Sequence, residues 1–277
     1  MTDRYAVIGN PIAHSKSPQI HQMFAEQTGE DIRYKAIESP PDDFAATIER
    51  LREAGYKGCN VTVPFKFNAF KIATELSERA RAAEAVNTLS FAGDAIRGDN
   101  TDGAGLVRDI EQNLGISLQD KKVLLMGAGG ASYGVVLPLL TAGAALSIAN
   151  RTPERAVELA KKFASSSVRG GGYADLTGSQ FDVIINATSA GLTDSKIPLP
   201  ASPLFPKGGQ GGIFAPGSLA YDMMYGRETP FMAFARANGA AIVVDGLGML
   251  IEQAAEAFYI WRGVRPETAF VIAALRA

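Results

Sequence analysis

Short apolar runs alternate with longer segments of helical period, and glycine or proline closes most of them. Arg4–Gly9 is an apolar run ended by glycine and predicts a buried strand. A polar loop, Asn10–Ser17, follows, and Ser17 then Pro18 predicts an N-cap with proline at the first helical position. That helix runs to about Gln27 and stops at Gly29. Ile32–Ile37 predicts a second strand, Asp42–Ala54 a helix ended by Gly55, and Lys57–Val63 a third strand. Another helix starts near Phe65. Val86–Phe91 and Ala95–Arg97, joined by Ala92-Gly93-Asp94, predict a hairpin. The alternation predicts a mainly parallel α/β layer.

A helix over Thr101–Leu114 bridges to a second α/β unit. There Val123–Met126 is a buried strand, Gly127–Gly130 a glycine turn, Ala131–Ala142 a helix and Ala145–Ala149 the next strand. This βαβ unit is the smallest piece of a dinucleotide-binding fold. Further strands are expected at Val183–Asn186, Leu219–Met223 and Ile242–Val244. The Gly-rich stretches Arg169–Gly172 and Lys207–Gly212 read as surface loops. A last helix spans Leu247–Trp261, with Leu250, Ala254, Ala257, Phe258 and Trp261 on one stripe.

Composition narrows the chemistry. The 277 residues suggest two domains at roughly 150 residues each. A net charge of -2 argues against a broad nucleic-acid or anionic-membrane footprint. One cysteine excludes an intramolecular disulfide framework and any multi-cysteine metal site. With no apolar run of spanning length and no signal-peptide core, a soluble cytoplasmic protein is expected. His14 and His21 have no Cys, Asp or Glu cluster beside them, so structural roles are expected rather than metal ligation. Cys59, inside the third strand, reads as a small buried hydrophobe.

Gly127-Ala128-Gly129-Gly130-Ala131 sits between a strand and a helix, where a dinucleotide fingerprint belongs. Its first glycine permits the tight turn, its second lets backbone approach a pyrophosphate, and the helix N-terminus offers free N–H groups. Ser132 occupies the third glycine position. Asn150-Arg151-Thr152 stands at the end of the second strand, where an NAD site usually has a carboxylate. A carboxylate repels a 2'-phosphate; Arg151 attracts it, and Asn150 and Thr152 can hydrogen-bond it. NADP is therefore expected over NAD, with Arg155 adding a second positive charge. Thr188 either lines this groove or caps a turn.

Three stretches carry the strongest signal: Asn10-Pro11-Ile12-Ala13-His14-Ser15-Lys16-Ser17-Pro18 with His21, Asn60-Val61-Thr62-Val63-Pro64-Phe65-Lys66, and Gly98-Asp99-Asn100-Thr101-Asp102-Gly103. With Ala85-Val86-Asn87-Thr88, Asn150-Arg151-Thr152, Tyr221-Asp222-Met223 and Asp245-Gly246-Leu247-Gly248-Met249-Leu250 plus Gln253, the chain resembles the shikimate dehydrogenase family along essentially its whole length. The resemblance implies reversible NADPH-dependent reduction of 3-dehydroshikimate to shikimate, in aromatic amino acid biosynthesis. It implies a substrate domain from residues 1–102 and 245–277 and a Rossmann-type NADP domain from 103–244, with the substrate in a cleft between them.

By the same resemblance, Lys66 and Asp102 match the catalytic pair, and Ser15 and Ser17 the serines that bind the substrate carboxylate. Thr62, Asn87 and Gln253 match ring-hydroxyl contacts, Tyr221 a substrate-side tyrosine, and Gly246 and Met249 positions beside the nicotinamide. The chemistry of the residues agrees. Serines ahead of a helix N-terminus make an anion site, or else plain helix caps. A lysine at a strand exit can move a proton and stabilise a developing alkoxide, and a nearby aspartate can orient it; the bland alternatives are a surface lysine and a first-turn carboxylate. Gln253 is either a core-edge amide or a hydroxyl partner. Tyr133 stands where many relatives have arginine, and Gly226-Arg227-Glu228 departs from the usual stretch. A quinate/shikimate dehydrogenase with broader substrate or NAD use, and a non-catalytic NADP-binding regulatory protein, are the competing readings. Partners are limited to the small-molecule substrate, with no nucleic acid or membrane, in a monomer or homodimer.

Overall fold

The computed structural model describes residues 2–188 and 212–276. The chain forms two compact units, Met1–Asp109 with Leu250–Ala277, and Ile110–Met249.

The first unit opens with β1 (Asp3–Gly9), α1 (Ser17–Thr28), β2 (Ile32–Glu38), α2 (Phe44–Glu53), β3 (Gly58–Val61) and α3 (Lys66–Ile72). It continues with β4 (Glu75–Leu76), α4 (Glu78–Ala83), β5 (Thr88–Ala92), β6 (Ala95–Asp99) and α5 (Asp102–Arg108). The sheet order is β2-β1-β3-β5-β6-β4. β1 lies parallel to β2 and β3, whereas β5 runs antiparallel to β3 and β6. Ile8, Ile48, Cys59, Val61, Phe65 and Leu89 close the core on one face. Burial raises the Cys59 thiol far above the usual range, so it stays an inert thiol.

Ser17 is not the N-cap. Lys16 already has helical backbone (φ -81°, ψ -7°), so Ser17 becomes the first helical residue and Pro18 the second. Ser15 Oγ instead accepts the Ser17 N–H at 3.2 Å. β3 ends at Val61 because Thr62 turns the chain, its carbonyl accepting the Phe65 N–H at 2.9 Å. β4 and α4 escape a periodicity reading by being too short, although Ser77 caps α4 by accepting the Ala80 N–H at 3.1 Å.

The expected Thr101–Leu114 helix splits into α5 and a π-helical turn, Asp109–Asn113. The second unit then has β7 (Lys122–Met126), α6 (Gly130–Thr141), β8 (Ala145–Ala149), α7 (Pro153–Lys161), β9 (Val168–Gly171) and β10 (Phe181–Asn186). β11 (Phe214–Asp222), α8 (Pro230–Ala237) and β12 (Ile242–Val244) complete it. The order β12-β11-β10-β7-β8-β9, with every neighbour parallel, is that of a doubly wound Rossmann-type sheet. Its topological switch point falls between β7 and β10, where ligands bind in such folds.

The loop expected at Arg169–Gly172 is in fact the edge strand β9, paired Leu146↔Val168 through Ala149↔Gly171. Its glycines misled the sequence reading. A Cβ on Gly170 would overlap the Ala156 carbonyl, so glycine lets α7 lie against the strand. Of the Gly-rich stretch Lys207–Gly212, residues 207–211 lie outside the described residues. α8 was not anticipated, although Thr229 caps it by accepting the Met232 N–H at 3.2 Å.

The chain closes with α9 (Leu247–Arg262) and α10 (Ala269–Arg276), the latter also unanticipated. In α9 the buried stripe runs through Ile251, Ala254, Ala255, Ala257 and Phe258; Leu250 and Trp261 are only half-buried. Among the described residues, no helix is long and apolar enough to cross a membrane.

Candidate active site

In the first unit, two helix starts bring the candidate pair together. Lys66 opens α3 immediately after the β3 turn, and Asp102 opens α5 after β6. Lys66 Nζ donates to Asp102 Oδ2 at 2.6 Å, with both side chains largely shielded. Asp102 is 7% exposed. Buried carboxylates require full pairing, and Asn87 supplies the second partner: its Nδ2 donates to Asp102 Oδ1 at 2.8 Å.

Asn87 is itself locked. The Thr101 N–H can only donate, and it donates to Asn87 Oδ1 at 2.8 Å. The amide nitrogen must therefore face the carboxylate. It also reaches Thr101 Oγ1 at 2.9 Å and Gln253 Oε1 at 3.3 Å. Gln253 is anchored on α9 by donating to the Leu250 carbonyl at 2.8 Å. The structure thus gathers Lys66, Asp102, Asn87 and Gln253 into one polar cluster. Thr62 is half-buried at the β3 exit, its N–H donating to the Ile8 carbonyl at 2.9 Å. Ser15 and Ser17 lie at the start of α1, half-buried and buried. An ammonium held by one carboxylate, among amides and hydroxyls, can hand a proton to a polar, hydroxylated ligand.

In the second unit, Gly127 ends β7 at φ +104°, a backbone region that disfavours any side chain, and its N–H donates to the Ala149 carbonyl at 2.8 Å. A Cβ on Gly127 would lie 3.3 Å from the Ala187 carbonyl and 3.2 Å from Thr188 Cγ2. At Gly129 a Cβ would meet only open space, which leaves room for a ligand beside the Gly130 and Ala131 amides. α6 has no acidic residue in its first turn to repel an anion. Ser132, in the third glycine position, is fully buried, and its hydroxyl donates to the Gly127 carbonyl at 2.9 Å. The serine therefore reinforces the turn. A pyrophosphate fits this cradle by the chemistry of its donors.

Arg151, Thr152 and Arg155 are exposed beyond β8, and Asn150 Nδ2 donates to the Thr152 carbonyl at 3.0 Å. Burial pushes the Tyr173 hydroxyl up to about 12, with the Arg151 charge opposing it. Thr188 Oγ1 donates to Asn186 Oδ1 at 2.7 Å, so its hydroxyl serves a turn while its methyl faces Gly127. Beside α6, Lys162 Nζ lies 4.8 Å from the Tyr133 ring centroid.

Tyr221 lies near the end of β11. It is fully buried, and its hydroxyl accepts the Met249 N–H at 3.2 Å. Its visible role is to hold the start of α9. Gly246 is pressed on backbone: a Cβ there would lie 2.5 Å from the Met223 carbonyl oxygen. Asp222, which sequence reasoning gave no role, is fully buried, and burial raises its carboxyl above the usual range. It accepts from Thr229 Oγ1 at 2.5 Å and the Met224 N–H at 2.9 Å, fixing the loop on which Gly246 rests. A carboxylate at a strand end followed by Thr at a helix start was the available signal.

The two histidines part company: His14 is exposed, whereas His21 is fully buried, its ring stacked on Tyr34 at 4.0 Å between centroids. Among the described residues, no group of three His, Cys, Asp or Glu side chains is placed to hold a metal ion.

Known proteins match over the same ground. Residues 7–89 match the shikimate dehydrogenase substrate binding domain, residues 109–193 the shikimate / quinate 5-dehydrogenase family, and residues 246–276 the shikimate 5'-dehydrogenase C-terminal domain. Shikimate dehydrogenase (NADP(+)) of Methylobacillus flagellatus is 57% identical over 278 residues, covering 99% of each chain. Among solved structures, an Ael1 enzyme from Pseudomonas putida is 49% identical with a TM-score of 0.90, over 99% of this chain and 98% of that one. Shikimate 5-dehydrogenase from Thermus thermophilus, in complex with NADP(H) and shikimate, is 34% identical with a TM-score of 0.85, over 99% of both chains.

Proposed function

Starting from the fact that this chain belongs to the shikimate dehydrogenase family, we propose how its residues divide the work of an NADP-dependent oxidoreductase that interconverts 3-dehydroshikimate and shikimate. The observation that carries the reading is the Lys66–Asp102 pair at 2.6 Å, backed by the locked amide of Asn87. Bound NADP(H) supplies or accepts the hydride. In the reductive direction Lys66 gives a proton to the substrate carbonyl oxygen, and its positive charge stabilises the alkoxide as it forms. Asp102 holds the ammonium in place, and its second oxygen stays satisfied by Asn87.

Ser15 and Ser17 take the substrate carboxylate, and Thr62, Asn87 and Gln253 take ring hydroxyls. The Gly127–Ala131 turn carries the pyrophosphate. Asn150, Arg151 and Thr152 take the 2'-phosphate, with Arg155 adding charge and Thr188 its methyl. Gly246 and Met249 flank the nicotinamide, and Tyr221, whose hydroxyl accepts the Met249 N–H, serves as the substrate-side tyrosine. In this reading residues 1–102 and 245–277 serve the substrate and 103–244 the cofactor, in a cytoplasmic monomer or homodimer.

Absorbance at 340 nm with shikimate and NADP tests the reading directly, with quinate and NAD in parallel. Turnover of shikimate with NADP is expected. Equal turnover of quinate or NAD would favour the broader enzyme, and no turnover in any pairing would favour the regulatory protein. Retention of both Lys66 and Asp102 in hydrogen-bond contact speaks against the last.

A further inference from the structure

We propose that Tyr34 is a positioning residue for the Lys66–Asp102 pair, acting through Asn60, Thr88 and Asn87. Tyr34, in β2, donates its hydroxyl to Asn60 Oδ1 at 2.7 Å. Asn60, in β3, is 6% exposed and makes two donor contacts: Nδ2 to the Asn87 carbonyl at 3.2 Å and to Thr88 Oγ1 at 3.0 Å. Thr88 Oγ1 donates in turn to Asn87 Oδ1 at 2.9 Å. Asn87 Nδ2 then reaches Asp102 Oδ1 at 2.8 Å, and Asp102 Oδ2 holds Lys66.

The direction of this rail is forced at two points. A backbone carbonyl only accepts, so the Asn87 carbonyl requires the nitrogen of Asn60 to face it. The oxygen of Asn60 must then face Tyr34, whose hydroxyl is left to donate. At the other end, the Thr101 N–H fixes the oxygen of Asn87 and turns its nitrogen to Asp102. Every amide and hydroxyl between Tyr34 and the carboxylate therefore points one way. A fully satisfied buried chain of this kind holds one geometry, and a single missing donor frees it to reorganise.

Two further observations fit a fixed donor. The Tyr34 ring is clamped face to face on His21, with ring planes 7° apart. Burial raises the Tyr34 hydroxyl well above its usual range, so it keeps its proton wherever the enzyme is assayed.

The inference rests on the proposed function, and its test separates the two. Tyr34→Phe keeps the stacked ring and removes the hydroxyl, both its bond to Asn60 and its interaction with Ser17. The parent protein must first oxidise shikimate with NADP; if it does not, the functional reading fails and not this one. With an active parent, Tyr34→Phe is expected to lower kcat about tenfold, as small misplacements of reacting groups do. The KM for NADP should stay within twofold. Thr88→Val breaks the rail from its other side without touching Tyr34 and should cost a similar factor. The double variant should lose no more than the worse single variant. A Tyr34→Phe kcat within twofold of the parent overturns the proposal. So does a double variant whose loss is the product of the two single losses, since that is how unconnected structural lesions behave.

Discussion

Acid should loosen the first unit through a single residue, His21. Its ring is fully buried and stacked on Tyr34, with Phe24, Phe258 and Trp261 around it. Neither ring nitrogen makes a hydrogen bond of good geometry. Burial holds its pKa down at about 3, the Asn60 side chain opposing. An unfolded histidine titrates near ~6.5. Below that pH the unfolded chain takes up a proton that the folded chain refuses, so this contribution to stability is whole above pH ~6.5 and drains away as pH falls towards the folded value. At ~1.4 kcal/mol per unit, the full loss is on the order of 5 kcal/mol, and about 2 kcal/mol is gone by pH ~5.

The chain's one tryptophan, Trp261, lies 5.6 Å from His21 and 4.5 Å from Tyr5 between ring centroids, so its fluorescence reports unfolding of this unit. Urea titrations at several pH values between neutrality and mild acid supply the measurement, with His21→Phe as the comparison because it preserves the stack and cannot titrate. The parent should lose about 2 kcal/mol more than the variant on acidification to pH ~5. Parallel pH dependences for the two proteins would refute the reasoning.

Four more outcomes are expected. Lys66→Ala should lower kcat by about 10²–10⁴-fold with a modest change in KM, in steady-state oxidation of shikimate; an unchanged kcat removes Lys66 from proton transfer. Arg151→Ala should weaken NADP about tenfold or more while leaving NAD nearly untouched, by fluorescence titration of each nucleotide; equal losses would detach Arg151 from the 2'-phosphate. Replacing both Ser15 and Ser17 with alanine should chiefly raise the shikimate KM, whereas a normal KM would leave the pair as structural residues of the α1 start. Gly246→Ala should cost about 1–3 kcal/mol in urea unfolding, because the new methyl meets the Met223 backbone, which cannot yield as a side chain can.

Much of this was readable in one dimension. The two α/β units and the strands of the second sheet around the glycine turn follow from local pattern, and the residues of the polar cluster from the resemblance to the family. Apolar period, turn residues and motif spacing act between near neighbours and leave their trace in order along the chain. β9 was lost because its glycines answer to α7 rather than to their own strand. The cap at α1 was misread by one residue because the loop ahead of it already has helical backbone at Lys16. Tyr221 carries a motif, but its bond to Met249, 28 positions away, shows only in the fold.

The sequence by itself determined the chemistry available: a lysine and an aspartate in place of metal or thiol, and an arginine where a carboxylate would exclude a 2'-phosphate. The tertiary structure decided who holds whom. Lys66 and Asp102 stand 36 positions apart and meet at 2.6 Å. Asn87 reaches that carboxylate from 15 positions away, and Gln253 accepts from the Asn87 amide across 166 positions. The orientation of an amide or hydroxyl depends on the groups that fold against it, and hydrogen-bond partners distant in sequence leave no period to read.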